Sequence, residues 1–344
     1  MRKKSRILVT GDKSPAGAAL IRRLKEEGFD NLIVPPSLKL TNQRAAGFFL
    51  KKNKPEYVFL IDVVSGGIMT NCARPAEFIY ANLQTQNNII DSCHKEKVKR
   101  LIFFGSSCAY PKNCPQPIKE DYLLTGPLEE TSEAYAISKI AGIKMCQYYR
   151  RQHGADFVSV IPATIYGKDD NFDLESAHVI PALMRKFHEA KAGRKACVLV
   201  WGSGRPKREF LYADDVANGC LFLMGKDSLP EIINMGSGAD ISIRQLAKLI
   251  KKITGFEGKI RFDVSKPDGA YRKLLDLSRL KTLGWSAKTD LESALRETYN
   301  WYLENLGYAN TVGDDLCVVP KYSQDETNLM HNGRIRRSAP TKLY

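Results

Sequence analysis

The sequence predicts an α/β protein, with a doubly wound parallel sheet and a smaller, interleaved C-terminal domain. Three observations carry this. Short apolar runs alternate with helix-length segments as far as Pro162. Those runs are continuously apolar, as strands are when helices cover both faces of a sheet. A glycine loop stands between the first run and the first helix. Strand–helix alternation builds a parallel sheet with right-handed crossovers, and such sheets bind ligands beyond the carboxyl ends of their strands.

The elements follow in order. The run 6–10 precedes a helix over about 16–28, the run 31–34 a helix over about 42–53, and the run 56–61 a helix over about 76–96. The runs 100–105 and 157–162 flank a long helix over about 133–153. After Ile161 the pattern loosens. It still offers a helix over about 178–190, a strand at 197–202, a helix over about 242–254 and an amphipathic helix over about 290–305. The segments 208–224 and 232–236 are expected to return to the first sheet. The expected division is 1–165 with return segments near 208–236 as the dinucleotide-binding domain, and 166–207 with 237–310 as the substrate-binding domain. Residues 311–344 are polar and aperiodic, and are expected to form a mobile tail.

Composition narrows the function. The chain has 344 residues, 43% hydrophobic and 26% charged, which suits a globular protein of one large or two coupled domains. No apolar run reaches membrane-span length, and the basic start leads into too short an apolar run for a signal peptide. Eight cysteines show no paired spacing, so free thiols in a reducing cytoplasm are expected. Five histidines form no metal-ligand pattern. The formal charge of +14 favours anionic ligands. No nucleic-acid recognition motif accompanies it, and a diphosphate-bearing small molecule fits as well.

The loop Gly11-Asp-Lys-Ser14-Pro-Ala-Gly17 has the place of a dinucleotide-binding loop. Tyr135 and Lys139 stand four apart on one helix face, where an ammonium lowers a phenol's pKa and prepares it for proton transfer to a carbonyl. "FFGSSCAYP" places Ser106 and Cys108 at the end of the fourth strand, where a hydroxyl can hold a carbonyl and a thiol can act as acid or base.

Loop, strand-end serine and YxxxK, in that order, resemble the extended short-chain dehydrogenase/reductases, a Rossmann-fold group. "GSSCAYPK", "EAYAISKIAGIKMC", "NFDLESAHVIPALMRKFHEA", "VWGSGRPKREFLYADD" and "SKPDG" narrow the resemblance to the GDP-L-fucose synthase family, over about residues 6–306. The resemblance implies NADP(H) as cofactor and a GDP-4-keto-6-deoxy-mannose substrate, epimerised at C3 and C5 and then reduced at C4. It assigns Cys108 and His178 to epimerisation, Tyr135 to proton donation, Lys139 to tuning and a ribose contact, and Ser106 to the ketone oxygen. It gives Lys186, Trp201, Arg208 and Asp268 to the nucleotide sugar. Gly11, Lys13, Ser14, Gly17, Gly105, Pro162 and Ile165, with Lys139 and His178, would line the cofactor. The family's homodimer would form through the helices near 76–96 and 133–153.

Departures from the family cluster around the cofactor. Ser14 replaces a glycine, Pro15 removes an amide donor, and Asp12 brings a negative charge. Pro35-Pro36, Lys39, Ile61, Asp62 and Val63 alter the neighbouring turns. Thr164, Lys168 and Tyr271 also depart. The expectation is a retained catalytic set in a remodelled cradle, with weakened or altered cofactor preference. The alternatives are a reductase or epimerase for another GDP-4-keto sugar, such as a 6-deoxy-heptose, and a non-catalytic nucleotide-sugar-binding paralogue.

Overall fold

The computed structural model describes residues 1–35, 40–61 and 64–305. The expected tail at 311–344 lies outside the described residues, as do Pro36, Lys39, Asp62, Val63 and Cys317.

The first half alternates as the apolar runs require: β1 (Ile7–Val9), α1 (Pro15–Glu26), β2 (Leu32–Ile33), α2 (Gln43–Asn53), β3 (Tyr57–Leu60), α3 (Ile68–Ala73), α4 (Pro75–Lys95), β4 (Arg100–Phe104), α5 (Glu133–His153) and β5 (Phe157–Pro162). The short helix α3 has no counterpart in the sequence reading. It follows Gly66-Gly67 and buries none of its residues, so no apolar period announced it. The second half runs β6 (Thr164–Tyr166), α6 (Val179–Ala192), β7 (Cys197–Trp201), β8 (Lys207–Tyr212), α7 (Ala213–Met224), β9 (Ile232–Met235), β10 (Asp240–Ser242), α8 (Ile243–Thr254), β11 (Lys259–Asp263), β12 (Arg272–Lys273), α9 (Ser278–Thr282) and α10 (Leu291–Glu304).

Six strands form one parallel sheet in the order β2-β1-β3-β4-β5-β9. The chain direction of growth reverses between β1 and β3, so the crevice for a ligand opens at the loop after β1. One apolar cluster fills this layer, including Val9, Phe59, Ile102 and Val160. A second cluster lies among α6, β7, α8 and α10, with Phe172, Met184, Leu246 and Leu295 at its centre. The expected return to the first sheet holds for α7, which packs on α1, and for β9 beside β5. It fails for 208–212. Strand β8 pairs instead with β10 on one side and β12 on the other, and with β6 along its second half, in a separate small sheet. Glu209 explains the anchorage: its buried carboxylate accepts from Gly238 N at 2.6 Å and Leu275 N at 2.8 Å. Continuous hydrophobicity alone does not say which sheet a strand joins.

Local signals set the ends of helices. Ser242 and Gln245 form a reciprocal cap on α8, which ends at Gly255 in a left-handed conformation. Asp290 caps α10 through Ser293 N. Among the described residues no helix is long and apolar enough to cross a membrane.

Helices α4 and α5 pack directly on each other and on the sheet. Gln86 donates to Ser138 O at 2.7 Å across this contact. A Cβ at Gly142 would lie 2.4 Å from Phe103 Cζ and 2.8 Å from Gln86 Oε1. Neither neighbour has room to retreat, because Phe103 is buried in the core and Gln86 is held by its hydrogen bond. Gly142→Ala should therefore cost about 1–3 kcal/mol through overpacking. Urea unfolding should show a lower midpoint at unchanged slope; an unchanged midpoint would refute the contact.

Candidate active site

Thr10 follows β1, and its hydroxyl accepts from Ile61 N at 3.0 Å and ties the glycine loop to the end of β3. Gly11 has φ +72°, which only glycine adopts freely. A Cβ at Gly17 would stand 2.0 Å from Gly11 O, so α1 can begin against the loop only with glycine there. The Ser14 side chain, which stands in place of a glycine, folds back into the loop. Ser14 is the N-cap of α1, with φ −84° and ψ 154°, a conformation open to any residue. Its Oγ accepts from Gly17 N at 3.1 Å and donates to Gly11 O at 2.7 Å. Pro15 occupies the first helical position, where its fixed φ suits the turn. The loop thus keeps its shape but spends its donors. Ser14 N bonds Gly11 O, Gly17 N bonds Ser14 Oγ, and Pro15 has no N–H. Among the described residues, Ala16 N is the donor left at this helix start. The shape fits a dinucleotide diphosphate.

From this loop a continuous cleft of about 490 Å³ runs across the strand ends to the second cluster. It is lined by Gly11, Ser14, Gly105, Ser106, Cys108, Tyr135, Pro162, Ile165, His178, Lys186, Trp201, Arg208 and Asp268. Ile61, Thr164 and Ala177 line it too. Gly17 and Lys139 are buried behind its wall, and Lys13 is exposed outside it. One rim is the segment leading into α3, docked on the facing lip by Gly67 N to Ser176 O and by Thr70 Oγ1 to Glu175 O, both 3.0 Å.

At the centre, Ser106 caps a 3-10 turn over Ser107–Ala109 and accepts from Cys108 N at 3.2 Å. Lys273 Nζ stands 3.4 Å from Cys108 Sγ. Burial disfavours the thiolate, yet the Lys273 charge and hydrogen bonds from Ser106, Lys273 and Ser132 outweigh it. The Cys108 pKa falls below the ordinary thiol value. Lys273 was missed by the sequence reading, because no spacing within the chain connects it to Cys108. Pairing of β12 with β8 brings it there, beside Arg208 in register.

Tyr135 behaves differently from the expectation. Lys139 was expected to lower the phenol's pKa. Burial instead pushes it up, and the nearby Cys108 charge adds to the rise. A hydrogen bond with Ser106 opposes the rise without cancelling it. Lys139 Nζ donates to Phe104 O at 3.0 Å and lies 6.0 Å from the Tyr135 ring centre. Tyr135 is therefore a protonated phenol at neutral pH. His178 is the N-cap residue of α6, and burial lowers its pKa, favouring the neutral imidazole.

Toward the second cluster the charge becomes positive. Lys186 Nζ lies 4.7 Å and Lys266 Nζ 5.7 Å from the Trp201 ring centre, and the ring is open to the cleft. Arg208 donates to Asp268 O at 3.4 Å. Both Asp268 carboxylate oxygens are engaged by Ser203, at 2.7 Å from its N and its Oγ. Asp268 thus fixes the loop beneath Trp201. Three further carboxylates line the cleft, Glu129, Asp170 and Glu175. Burial raises the Asp170 pKa to about 7. Among the described residues no group of three or more His, Cys, Asp or Glu could hold a metal ion.

Alkylation tests the state of the Cys108 thiol. Iodoacetamide labelling of Cys108, followed by peptide mass spectrometry, should show a rate midpoint below the ordinary thiol pKa of about 8.5. Lys273→Met should move that midpoint upward and slow labelling at neutral pH. An unchanged profile would show that Lys273 leaves the thiol untouched.

Residues 7–236 match the NAD dependent epimerase/dehydratase family. GDP-L-fucose synthase 1 of Arabidopsis thaliana is 50% identical over 306 residues, covering 88% of this chain and 95% of its own. A GDP-6-OMe-4-keto-L-xylo-heptose reductase from C. jejuni superposes with TM-score 0.84 at 37% identity, covering 89% of this chain and 99% of that one. A GDP-L-fucose synthetase from Naegleria fowleri, bound to NADP, gives TM-score 0.82 at 31% identity over 90% of this chain and 97% of that one. The loop, the strand-end serine, the Tyr–Lys helix and these likenesses agree: the chain belongs to the NAD dependent epimerase/dehydratase family, within its GDP-L-fucose synthase group.

Proposed function

We propose that the protein converts GDP-4-keto-6-deoxy-D-mannose to GDP-L-fucose, by epimerisation at C3 and C5 followed by reduction at C4 with NADPH. The observation that carries this is one cleft holding a low-pKa thiol, a high-pKa phenol and a neutral imidazole beside a dinucleotide loop. The relatives named GDP-L-fucose synthase support the substrate.

The C4 ketone acidifies the C–H bonds on both neighbouring carbons. Inverting each carbon needs one group to take a proton and another to return one. Cys108, with its depressed pKa, and His178, which enters from α6, are the pair for this work. Ser106 is placed to bond the ketone oxygen. Tyr135, kept protonated by its surroundings, donates to that oxygen in the reduction. NADPH, when bound, supplies the hydride. Gly11 and Ala16 N would hold its diphosphate, and Lys139, which holds the β4 end against α5, would serve the ribose. Arg208 suits the substrate diphosphate, because a guanidinium grips phosphate oxygens bidentately. Trp201 offers a flat face to the guanine. A homodimer through α4 and α5 belongs to the same proposal; their outer face exposes Tyr80, Ile137 and Tyr148.

One structural likeness favours a second reading, a reductase for a GDP-4-keto-heptose. Turnover of GDP-4-keto-6-deoxy-mannose against its 6-deoxy-heptose counterpart, with product stereochemistry by NMR, decides between them. Exclusive turnover of the heptose would overturn the fucose reading. In deuterated buffer, Tyr135→Phe should abolish C4 reduction while C3 and C5 still exchange. Cys108→Ser should mainly lose exchange. Equal loss of both steps in both variants would refute the division of roles.

The donor-poor loop makes its own prediction. Pro15→Ala restores one amide at the start of α1. Hydrogen bonds to charged groups contribute about 1.5–3 kcal/mol, so calorimetry should show NADPH binding tightened by roughly ten-fold or more. No gain would mean that the diphosphate does not use this helix start.

A further inference from the structure

Glu129 lies on the loop leading into α5 and lines the cleft. It is 7% exposed. Its Oε1 accepts from Thr131 Oγ1 at 3.5 Å and pairs with Lys112 Nζ at 3.5 Å. Its Oε2 is buried and has no hydrogen-bond partner among the described residues. A buried carboxylate oxygen without a donor is costly, and folded proteins rarely leave one so. A ligand that brings a donor removes that cost.

The neighbourhood says which donor. Glu129 stands close enough to Arg208 for its charge to act on the guanidinium. It precedes Ser132 and Tyr135 on the same wall of the cleft. A hexose whose ketone meets Ser106 and Tyr135, and whose diphosphate meets Arg208, must span the distance between them. In a 4-keto-6-deoxyhexose joined to diphosphate at C1, the hydroxyl donors left are those on C2 and C3. Carboxylates accept such hydrogen bonds strongly because the acceptor is charged.

We propose that Glu129 binds the hexose of the GDP-sugar, its free carboxylate oxygen accepting a hydrogen bond from the C2 or C3 hydroxyl. This rests on the GDP-sugar reading above. Glu129 then reads the sugar, whereas Arg208 and Trp201 read the nucleotide.

Calorimetry on the full-length protein with GDP and with GDP-mannose tests it. GDP-mannose carries both hydroxyls and is not turned over. Glu129→Gln keeps the shape and the Oε1 acceptor but replaces the free oxygen with a donor. It should weaken GDP-mannose by roughly ten-fold or more while GDP stays within about two-fold of wild type. Retained GDP binding also shows that the variant is folded. Equal weakening of both ligands would overturn the proposal, because Glu129 would then act through Arg208. Unchanged binding of both would overturn it as well. If wild type binds GDP-mannose no more tightly than GDP, the sugar has no binding contact and the proposal falls. If wild type binds neither, the GDP-sugar reading itself fails, and this inference with it.

Discussion

Strand β8 is hydrogen-bonded along both edges, and the site depends on that. β10 runs antiparallel on one side and β12 parallel on the other, while β6 pairs in parallel with the second half of the strand. These three partners come from distant parts of the chain. Glu209, within β8, draws the segments after β9 and β12 inward through its buried carboxylate. The consequence is chemical. Register across β8 sets Lys273 next to Arg208, and Lys273 reaches the Cys108 sulfur from the end of another sheet. The first sheet supplies Ser106 and Cys108, and the small sheet supplies the charge that tunes them.

The first half of the fold was legible because its strands are buried on both faces and its helices begin and end on recognisable residues. The run Phe157–Pro162 and the helix Glu133–His153 could be read directly. The small sheet could not. β6, β10 and β12 are two or three residues long, and β10 and β12 are only partly buried, so they carry little apolar signal. Site residues divide the same way. Ser106, Cys108 and Tyr135 are announced by local motifs, whereas Lys273 and Glu129 acquire meaning only from what folding sets beside them. The Tyr135–Lys139 spacing correctly placed both on one helix face. It did not show that desolvation would raise the phenol's pKa.

The glycine loop shows how a departure in sequence can leave geometry intact. Ser14 takes a backbone conformation that needs no glycine and uses its hydroxyl as a cap. The helix gains a stabilised start, worth about 1 kcal/mol for a typical N-cap serine. The same hydroxyl engages Gly17 N, and Pro15 has no hydrogen to give. Helix stability and anion binding draw on the same few donors, and here the balance leans toward the helix.

The proximity of Cys108 to Tyr135 couples their two protons. A negative charge on the sulfur holds the phenol's proton in place. A proton on the sulfur removes that field and leaves the phenol a stronger acid. The acidity of one group is thus set by the charge of the other, with no moving part.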